Sequence, residues 1–376
     1  MEDRERKTIN AALWARTTTM SGSGPPGWEE AERAMWEKTE RGLRELRGLR
    51  KPEINDVFER VAYLGAGDFY ITNYHRHFPI EAFNPGAALV GEELYIFPRL
   101  IFEFYNYVSS VGVCHVSVED LLSGQVGRTP LHTRIVLWPR NPWERLGCED
   151  PRVFRRPGGW LVLYCGKGLY RLGDKPVKTD ALALAVIDEE FRVLRRGYFS
   201  VRKGDSVWAP SNRDSSFLSL SGREATLATR PVVRGVKLCW RARADLEALE
   251  MPEESLEPVL GPEDWESHVG WSTNAIRLSG DEYLIGWHGV SKLDYAYRNG
   301  LAVLDAEGNL LAVSNYVLSP RGLYEEYGET CSCLFGCGLV LYKEFLIWVG
   351  GVCDACVGIF RTELDRALET LRWLRG

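Results

Sequence analysis

Turn signals followed by short apolar runs recur along the chain from about residue 60 onward, and this pattern sets the expected fold. In each unit a turn leads into a short aromatic and apolar strand, and an amphipathic strand follows. The recurring segments are VGEELYIFPR (90–99), RPGGWLVLYCGK (156–167), LSGREATLATR (220–230), LSGDEYLIGWH (278–288) and YKEFLIWVGGVCD (342–354). Five returns at about sixty residues predict an all-β, five-bladed β-propeller with four short strands in each blade. Two β-sandwich domains would not explain why one hairpin returns five times.

Helical patterns flank these repeats on both sides. The segment after SGSGPPG has mixed charges and a partial apolar stripe, which predicts a helix over about 28–50. Such a helix is expected to pack on the main domain or on a second subunit. The last segment, RTELDRALETLRWLRG, predicts a C-terminal helix that caps the propeller. The expected organisation is an N-terminal extension, residues 1–60, followed by one catalytic propeller domain, residues 61–376.

Composition and charge narrow the class of partner. Hydrophobic content of 45% and charged content of 26% are those of an ordinary globular protein, and 13 Trp, 16 Tyr and 14 Phe suit the stacking of sugar rings. A net charge of −6 argues against nucleic acid or a membrane surface as the main partner. No long apolar run and no hydrophobic signal region occur, so a cytoplasmic location is predicted.

The late cysteines allow three interpretations. Cys331, Cys333 and Cys337 precede the pair Cys353 and Cys356, and only this last pair has the spacing of a zinc knuckle. A disulfide between Cys353 and Cys356 is a second possibility. The third is a buried hairpin in which cysteine behaves as a small hydrophobe, and it is the favoured one, so no metal site is expected.

The run GCEDPR (147–152) is the strongest candidate for chemistry. Pro151 is expected to hold Asp150 extended and so to aim its carboxylate, while Arg152 supplies a charge that orients or neutralises an acid. In a propeller, equivalent positions of successive blades converge on one axis. Polar residues recur in step with Asp150 at strand starts and strand ends: Asn84, Arg213, Asp214, Asn274, Arg99, Lys167, Arg230, His288 and Asp354. We expect them to meet at one funnel mouth.

At these residues the chain resembles glycoside hydrolase family 130, the mannoside phosphorylases and related β-mannosidases. The resemblance covers roughly residues 60–365, and the family's fold is a five-bladed β-propeller. The segments that carry it are FNPGA (83–87), Arg99, GCEDPR (147–152), SNRDSSF (211–217), TRP (229–231), GWHGV (286–290), NGLAVLDAEG (299–308) and GVCD (351–354). The chain departs from the family's pattern at SSFLS, after the Asn-Arg pair, and at Pro98, which raises questions about the substrate more than about the reaction.

The resemblance implies a role for each candidate. Asp150 matches the family's single general acid, whose proton is thought to pass through a sugar hydroxyl. Arg213, Arg230 and His288 match the phosphate-binding group. Contact with the sugar is expected from Asn84, Arg99 and Asp354, and also from Arg152 and Asp214 beside them.

Two reactions fit this set of residues. A phosphorylase needs one acid and a cationic pocket for phosphate, and the three phosphate candidates supply such a pocket. Inverting phosphorolysis of β-mannosides is therefore predicted, with oligosaccharide and phosphate as small-molecule partners, no cofactor and a possible homo-oligomer. An inverting β-mannoside hydrolase would need a second carboxylate, for which Glu325, Glu326 and Glu329 are candidates. A glycan-binding propeller without catalysis is the remaining alternative, and it has no need for an anion site.

Overall fold

A computed structural model describes residues 28–172 and 175–374, with backbone alone for 169–172 and 175–179. Residues 1–27 of the predicted N-terminal extension lie outside the described part. Within the described residues the fold is mostly β, and its strands form four sheets of four, nine, eight and six strands. Among the same residues, no helix has both the length and the apolar character needed to cross a membrane.

The four-stranded sheet joins the two ends of the repeat region. Its strands are β1 (Glu59–Leu64), β24 (Leu334–Tyr342), β25 (Phe345–Val352) and β26 (Cys356–Glu363). The first strand of the region, β1, pairs antiparallel with β26, the strand after the last hairpin, with Tyr63 opposite Gly358. Because backbone hydrogen bonds tie sequence-distant strands together, the arrangement holds the first and last repeats in contact.

The nine-stranded sheet has two parts. It contains β2 (Phe69–Ile71), β3 (Glu81–Val90), β4 (Glu93–Ile101), β5 (Ser109–Ser117), β6 (Leu131–Leu137), β7 (Gly147–Arg156), β8 (Gly159–Leu172), β9 (Lys175–Ile187) and β10 (Val193–Tyr198). Both parts are antiparallel, except that β2 pairs parallel with β6. A single parallel pairing, Ser109 with Gly147, connects the part that ends in β5 to the part that begins with β7. A short helix, α2 (Val118–Leu122), follows β5. The sheet therefore consists of two repeats that are joined by a single backbone pairing.

The eight-stranded sheet carries the third hairpin. Its strands are β11 (Ser200–Lys203), β12 (Ser206–Trp208), β13 (Asn212–Ser221), β14 (Glu224–Val233), β15 (Val236–Lys237), β16 (Cys239–Asp245), β17 (Glu250–Pro252) and β18 (Glu257–Leu260). The short strand β15 extends the end of β14 and contributes Lys237.

The six-stranded sheet carries the fourth hairpin and the end of the chain. It consists of β19 (Glu266–Trp271), β20 (Ile276–Ser279), β21 (Glu282–Ser291), β22 (Tyr297–Leu304), β23 (Leu310–Ser314) and β27 (Leu371–Trp373). A one-turn helix, α3 (Leu323–Glu326), lies in the connection that leads from this sheet to β24.

The predicted C-terminal helix is wrong over most of its length. The helix α4 spans only Leu364–Leu368, and the residues before and after it are the strands β26 and β27. The apolar spacing of the segment suits a helix, but the edge of β23 offers unpaired backbone groups, and Leu371–Trp373 pairs with it. Tertiary hydrogen bonding therefore overrides the local pattern.

All five predicted hairpins are present, and they place the site. Their second strands are β4, β8, β14, β21 and β25. The first strands lie next to one another, with β3 between β24 and β7 and with β13 beside β7 and β19. Hydrophobic clusters fill the spaces between neighbouring sheets: Ile96 packs in one cluster with Val349, and Leu163 packs in another with Leu227. The whole set of first strands is thus held together by packing of their sheets.

The N-terminal helix, α1 (Trp28–Glu45), ends five residues earlier than the predicted 28–50. It packs on the eight-stranded sheet, where Met35 is buried in the same cluster as Leu238. The segment after the helix is fixed by Arg50, which is buried and forms hydrogen bonds of 2.7 and 2.8 Å with the two carboxylate oxygens of Glu266. The guanidinium also lies 4.3 Å from the ring of Trp287. An extension outside the repeats is thereby anchored to the six-stranded sheet.

Replacing Arg50 should be far more costly than replacing Arg47, three residues earlier. Arg50→Met leaves the buried carboxylate of Glu266 without its partner, so we expect a loss of about 3–5 kcal/mol in the free energy of unfolding. Arg47→Ala breaks only an exposed ion pair with Asp264, 3.0 Å long, and should cost less than about 1 kcal/mol. Urea unfolding of both variants measures the difference. Equal losses would contradict the assignment of Arg50 as the anchor.

Candidate active site

Three neighbouring first strands carry the same β-bulge, and each bulge presents one polar residue. The extra residues include Asn84, Asp150 and Asp214, whose φ angles are 42°, 51° and 52°. The register shifts lie at Phe83/Gly86 in β3, Glu149/Arg152 in β7 and Arg213/Ser216 in β13. Asn and Asp are the residues that tolerate a left-handed backbone best, which explains their recurrence at these positions.

The bulge corrects one expectation about the acid. Pro151 was expected to hold Asp150 in an extended conformation, but a φ of 51° lies in the left-handed region. The bulge, rather than the restriction that proline imposes on the preceding residue, therefore sets the direction of the carboxylate.

The first cluster of the site surrounds Asp150, which is buried. Its Oδ1 accepts hydrogen bonds from Asn84 Nδ2 at 3.0 Å and from Arg99 Nη1 at 3.1 Å. The same Asn84 nitrogen lies 3.5 Å from Oδ1 of Asp354, whose other oxygen accepts a 2.6 Å hydrogen bond from Thr330. Four of the predicted residues, Asn84, Arg99, Asp150 and Asp354, thus meet at one place.

The two carboxylates of this cluster differ in their affinity for a proton. Burial by itself would raise the pKa of Asp150, but the guanidinium groups of Arg99 and Arg213 outweigh it and lower that pKa below its ordinary value. Burial raises the pKa of Asp354, and the hydrogen bond from Thr330 only partly opposes this effect. Asp150 is therefore ionised near neutral pH in the free protein.

The second cluster surrounds Asp214, which is also buried. Its Oδ2 is 2.8 Å from Nε of Arg230 and 3.8 Å from Nε2 of His288. Ser272 Oγ lies 3.1 Å from the other ring nitrogen of His288. Burial and the nearby charge of Arg230 lower the pKa of His288 well below its ordinary value, so the imidazole is neutral.

Arg152 joins the two clusters. Its Nη1 donates to the main-chain oxygen of Asp150 at 2.9 Å, and its Nε donates to the main-chain oxygen of Ser272 at 2.8 Å. Its Nη2 lies 3.4 Å from Oδ1 of Asp214. The strands β7, β13 and the end of β19 therefore share one buried guanidinium.

The guanidinium of Arg213 contacts the carboxylates around Asp150, although the residue is the cross-strand partner of Arg230. Its Nη2 forms a 2.6 Å hydrogen bond with Asp180 Oδ1, and its Nη1 is 3.2 Å from Oε2 of Glu149 and 3.8 Å from Oδ2 of Asp150. The Arg213 side chain is 24% exposed, so it also faces solvent. Arg213 is thus held by carboxylates that the sequence analysis did not assign.

Two further basic residues were missed by the sequence analysis. Lys237 lies on β15, close to Arg230. Burial is the main cause that lowers the pKa of Lys237, and the charge of Arg230 lowers it further. His268, on β19, packs edge-on against His288 with 6.4 Å between ring centroids. Burial and the charges of Lys237 and Arg230 lower the pKa of His268 to about 3. Neither residue belongs to a recurring motif, so only their unused charge could have drawn attention to them.

Several buried polar atoms of the site have no hydrogen-bond partner among the described residues. Such atoms are uncommon in folded proteins and point to a site that binds a ligand. Two of these atoms, Asp214 Oδ2 and Arg230 Nε, form a close ion pair with each other but do not form a hydrogen bond. The atoms are Asn84 Oδ1, Glu149 Oε2, Asp214 Oδ2, Arg230 Nε and His288 Nε2.

Other candidates from the sequence lie outside the two clusters. Glu325 is fully buried and is engaged by Arg60, at 2.9 Å, and by the Tyr63 hydroxyl, at 2.7 Å. Glu326 accepts a hydrogen bond from the main chain of its own helix, α3, and Glu329 is exposed. Asn274 forms two hydrogen bonds with the main chain of Leu339 and so links two sheets.

Most of the cysteines are buried, whereas Cys331 is exposed and Cys356 is half-buried. All nine are unpaired, and Cys333, Cys337 and Cys353 are buried. The Cys353 thiol donates to the main-chain oxygen of Glu325 at 3.1 Å instead of pairing with Cys356. No group of three or more metal-ligating side chains comes together in residues 28–172 and 175–374.

The fold and the site define a class: β-sheet proteins with a buried carboxylate beside a basic pocket. The sequence profile of glycoside hydrolase family 130, described as beta-1,4-mannooligosaccharide phosphorylase, matches residues 48–373. The chain belongs to this family, whose members are glycoside phosphorylases or hydrolases. The match confirms the resemblance seen in the sequence and extends it by about a dozen residues toward the N-terminus. No curated protein is significantly similar in sequence.

Solved structures with a similar fold include both kinds of enzyme. A beta-1,2-mannobiose phosphorylase from Listeria innocua has 19% identity and a TM-score of 0.57, over 82% of this chain and 96% of that one. A glycosyl hydrolase from Bacteroides ovatus has 17% identity and a TM-score of 0.62, over 86% and 96%. A mannose phosphorylase from Leishmania mexicana, in complex with phosphate ion, has 14% identity and a TM-score of 0.52, over 92% and 98%. At these identities the likeness shows the fold alone.

A methyl group at Gly270 should disrupt the second cluster. A Cβ there would lie 2.6 Å from the ring of His288, 2.8 Å from Asp214 Oδ2 and 2.9 Å from Arg230 Cδ. Sulfate serves here as a probe for the phosphate expected at this cluster. Gly270→Ala should weaken sulfate binding, measured by calorimetry, by at least about tenfold, because the closely packed side chains of the cluster must move to admit the methyl group. Gly67→Ala is the control, because a Cβ at Gly67 meets nothing within 4 Å. Sulfate affinity that is the same in both variants would show that anions bind elsewhere.

Proposed function

We propose that the protein is an inverting glycoside phosphorylase that acts on β-mannosides. The reaction converts a mannooligosaccharide and inorganic phosphate into α-mannose 1-phosphate and a shortened acceptor. The observation that carries the proposal is an uneven distribution of charge across the site. Around Asp150, three cations face four carboxylates, namely Arg99, Lys167 and Arg213 against Glu149, Asp150, Asp180 and Asp354.

The cluster around Asp214 has a surplus of positive charge instead. Arg152, Arg230 and Lys237 lie near one carboxylate, that of Asp214, and the two imidazoles beside them are neutral. A phosphate dianion matches this surplus of two charges, and guanidinium groups bind its oxygens bidentately. Phosphate is therefore assigned to Arg230, Lys237 and His288, with Arg213 at the edge nearest the acid.

Phosphate itself helps to prepare the acid. In the free protein the arginines keep Asp150 ionised, and an ionised carboxylate cannot donate a proton. A dianion bound beside Arg213 and Arg152 offsets their charge, which raises the pKa of Asp150. Exclusion of water by the sugar acts in the same direction. The proton then passes to the glycosidic oxygen, by way of a sugar hydroxyl as the family resemblance implies, while phosphate attacks the opposite face of the anomeric carbon.

Hydrolysis has less support because neither Asp354 nor Glu325 is placed to act as the second carboxylate. The Oδ1 atoms of Asp150 and Asp354 lie 3.0 and 3.5 Å from one Asn84 nitrogen, so they are at most 6.5 Å apart. Inverting hydrolases separate their two carboxyl groups by about 6.5–9.5 Å to admit a water molecule. Glu325, the candidate base, is occupied by Arg60 and Tyr63.

A five-bladed arrangement is part of this proposal. The nine-stranded sheet counts as two blades, since the backbone pairing between its parts is confined to Ser109 and Gly147, and the other three sheets count as one each. Five blades would place the five hairpins around one axis and explain why residues from four sheets meet at one site.

The direct test is an assay with and without phosphate. Incubation with β-mannosides should release mannose 1-phosphate only when phosphate is present, because the cationic pocket is built to hold the attacking group. Anomeric analysis of the product should show inversion. Free mannose released at the same rate in phosphate-free buffer would overturn the proposal in favour of the hydrolase.

The basic pocket should control phosphate use. Arg230→Ala should lower kcat/KM for phosphate by an amount equivalent to about 2–4 kcal/mol, since a charge-assisted contact is lost. Arg230→Lys should restore only part of it, because lysine keeps the charge and loses the planar fork. Lys237→Met should also raise the phosphate KM. Variants that change the mannoside KM and leave the phosphate KM unaltered would contradict the assignment.

Loss of the acid should affect turnover and spare binding. Asp150→Asn should lower kcat by about two to four orders of magnitude, as removal of general acid catalysis usually does. Sulfate binding should persist, since the basic pocket remains. A folded variant with near-normal turnover would exclude this role for Asp150.

A further inference from the structure

The residue directly before the acid, Glu149, contacts more cations than any other carboxylate described near the site. Its side chain is fully buried. Oε1 accepts hydrogen bonds from Arg99 at 2.8 Å and from Lys167 at 3.2 Å, and Oε2 is 3.2 Å from Nη1 of Arg213. These three cations come from β4, β8 and β13. One carboxylate thus fixes basic residues from three different strands.

The contact with Arg213 differs from the other two. Oε2 of Glu149 has no hydrogen-bond partner, although the guanidinium is only 3.2 Å away. Arg213 directs its hydrogen bond to Asp180 instead, at 2.6 Å. Glu149 and Asp180 therefore contact the same guanidinium, that of Arg213, whose side chain remains partly exposed to solvent. A bound anion near Arg213 would have to compete with both of them.

We propose that Glu149 is a positioning residue that, together with Asp180, holds Arg213 beside the acid and competes with phosphate for it. The inference rests on the proposed function, because it assumes that phosphate binds next to Arg213. It assigns Arg213 two partners in turn: phosphate during the reaction, and the two carboxylates when the phosphorylated product leaves. Glu149 thereby lowers the affinity for phosphate and favours release of the anionic product.

Glu149 has a second effect, which Asp180 does not share. It is the neighbour of Asp150 in the chain and lies on the same bulge, so its negative charge favours the protonated form of the acid. Asp180 lies on β9 and reaches the acid only through Arg213. The two carboxylates are therefore expected to act alike on phosphate affinity and differently on the acid.

The test compares three variants of the full-length protein. Glu149→Gln and Asp180→Asn each remove one negative charge that competes for Arg213, so both should lower the phosphate KM and the sulfate Kd by about three- to tenfold. Only Glu149→Gln should lower kcat and move the alkaline limb of its pH profile to lower pH, by about half to one pH unit. Glu325→Gln is the matched control, since Glu325 is equally buried and paired with an arginine, Arg60, but its carboxylate contacts none of the cations of the two clusters. It should reduce the melting temperature and leave both constants unchanged.

The results separate this inference from the proposed function. If the wild-type enzyme requires phosphate but neither variant binds sulfate more tightly, the inference is overturned and the phosphorylase assignment stands. If the wild type releases mannose without phosphate, the phosphorylase assignment fails and the inference fails with it. Should Glu149→Gln not fold, Asp180→Asn carries the test of competition, because Asp180 is partly exposed and its replacement disturbs the core less. An unaltered sulfate Kd in that variant would count against the proposal.

Discussion

The site depends on one buried interaction, the guanidinium of Arg152 between two carboxylate clusters. It contacts the main chain of Asp150, the main chain of Ser272 and the carboxylate of Asp214. Three hairpins that are far apart in sequence are thereby fixed relative to one another at the place where their first strands meet. A buried cation is stable only when its donors are satisfied, so this contact also dictates that carbonyl and carboxylate oxygens converge there.

The same demand for charge compensation gives the site its two halves. Near Asp150 the cations do not outnumber the carboxylates, whereas near Asp214 the cations Arg230 and Lys237 outnumber the carboxylate. A cluster without surplus positive charge is suited to bind an uncharged sugar and to hold an acid, and a cationic one is suited to bind an anion. The proposed reaction needs both, and Arg213 at their boundary is the residue through which the charge of phosphate reaches the acid.

The sequence alone predicted most residues of the two clusters because these residues follow the repeat. Asn84, Asp150 and Asp214 occupy the same bulge of three successive first strands, and Arg99 and Arg230 lie opposite such bulges on the second strands. Because the hairpins repeat, polar residues recur at equivalent positions, and the spacing of the motifs identifies them. Lys237, His268 and Asp180 lie on β15, β19 and β9, outside that regularity, and the sequence offered no signal for them.

Hydrophobic patterning and turn chemistry determined the five hairpins, the N-terminal helix and the order of the candidate residues, since these depend on interactions between near neighbours in the chain. Only the tertiary structure decided what depends on distant contacts. The left-handed backbone of Asp150 comes from the pairing of β7 with β8, and the short helix α4 gives way to β27 because the edge of β23 accepts another strand. The ionised state of Asp150 and the capture of Arg213 by Glu149 and Asp180 likewise required two sheets to bring their charges within a few ångströms, a distance that no local sequence pattern encodes.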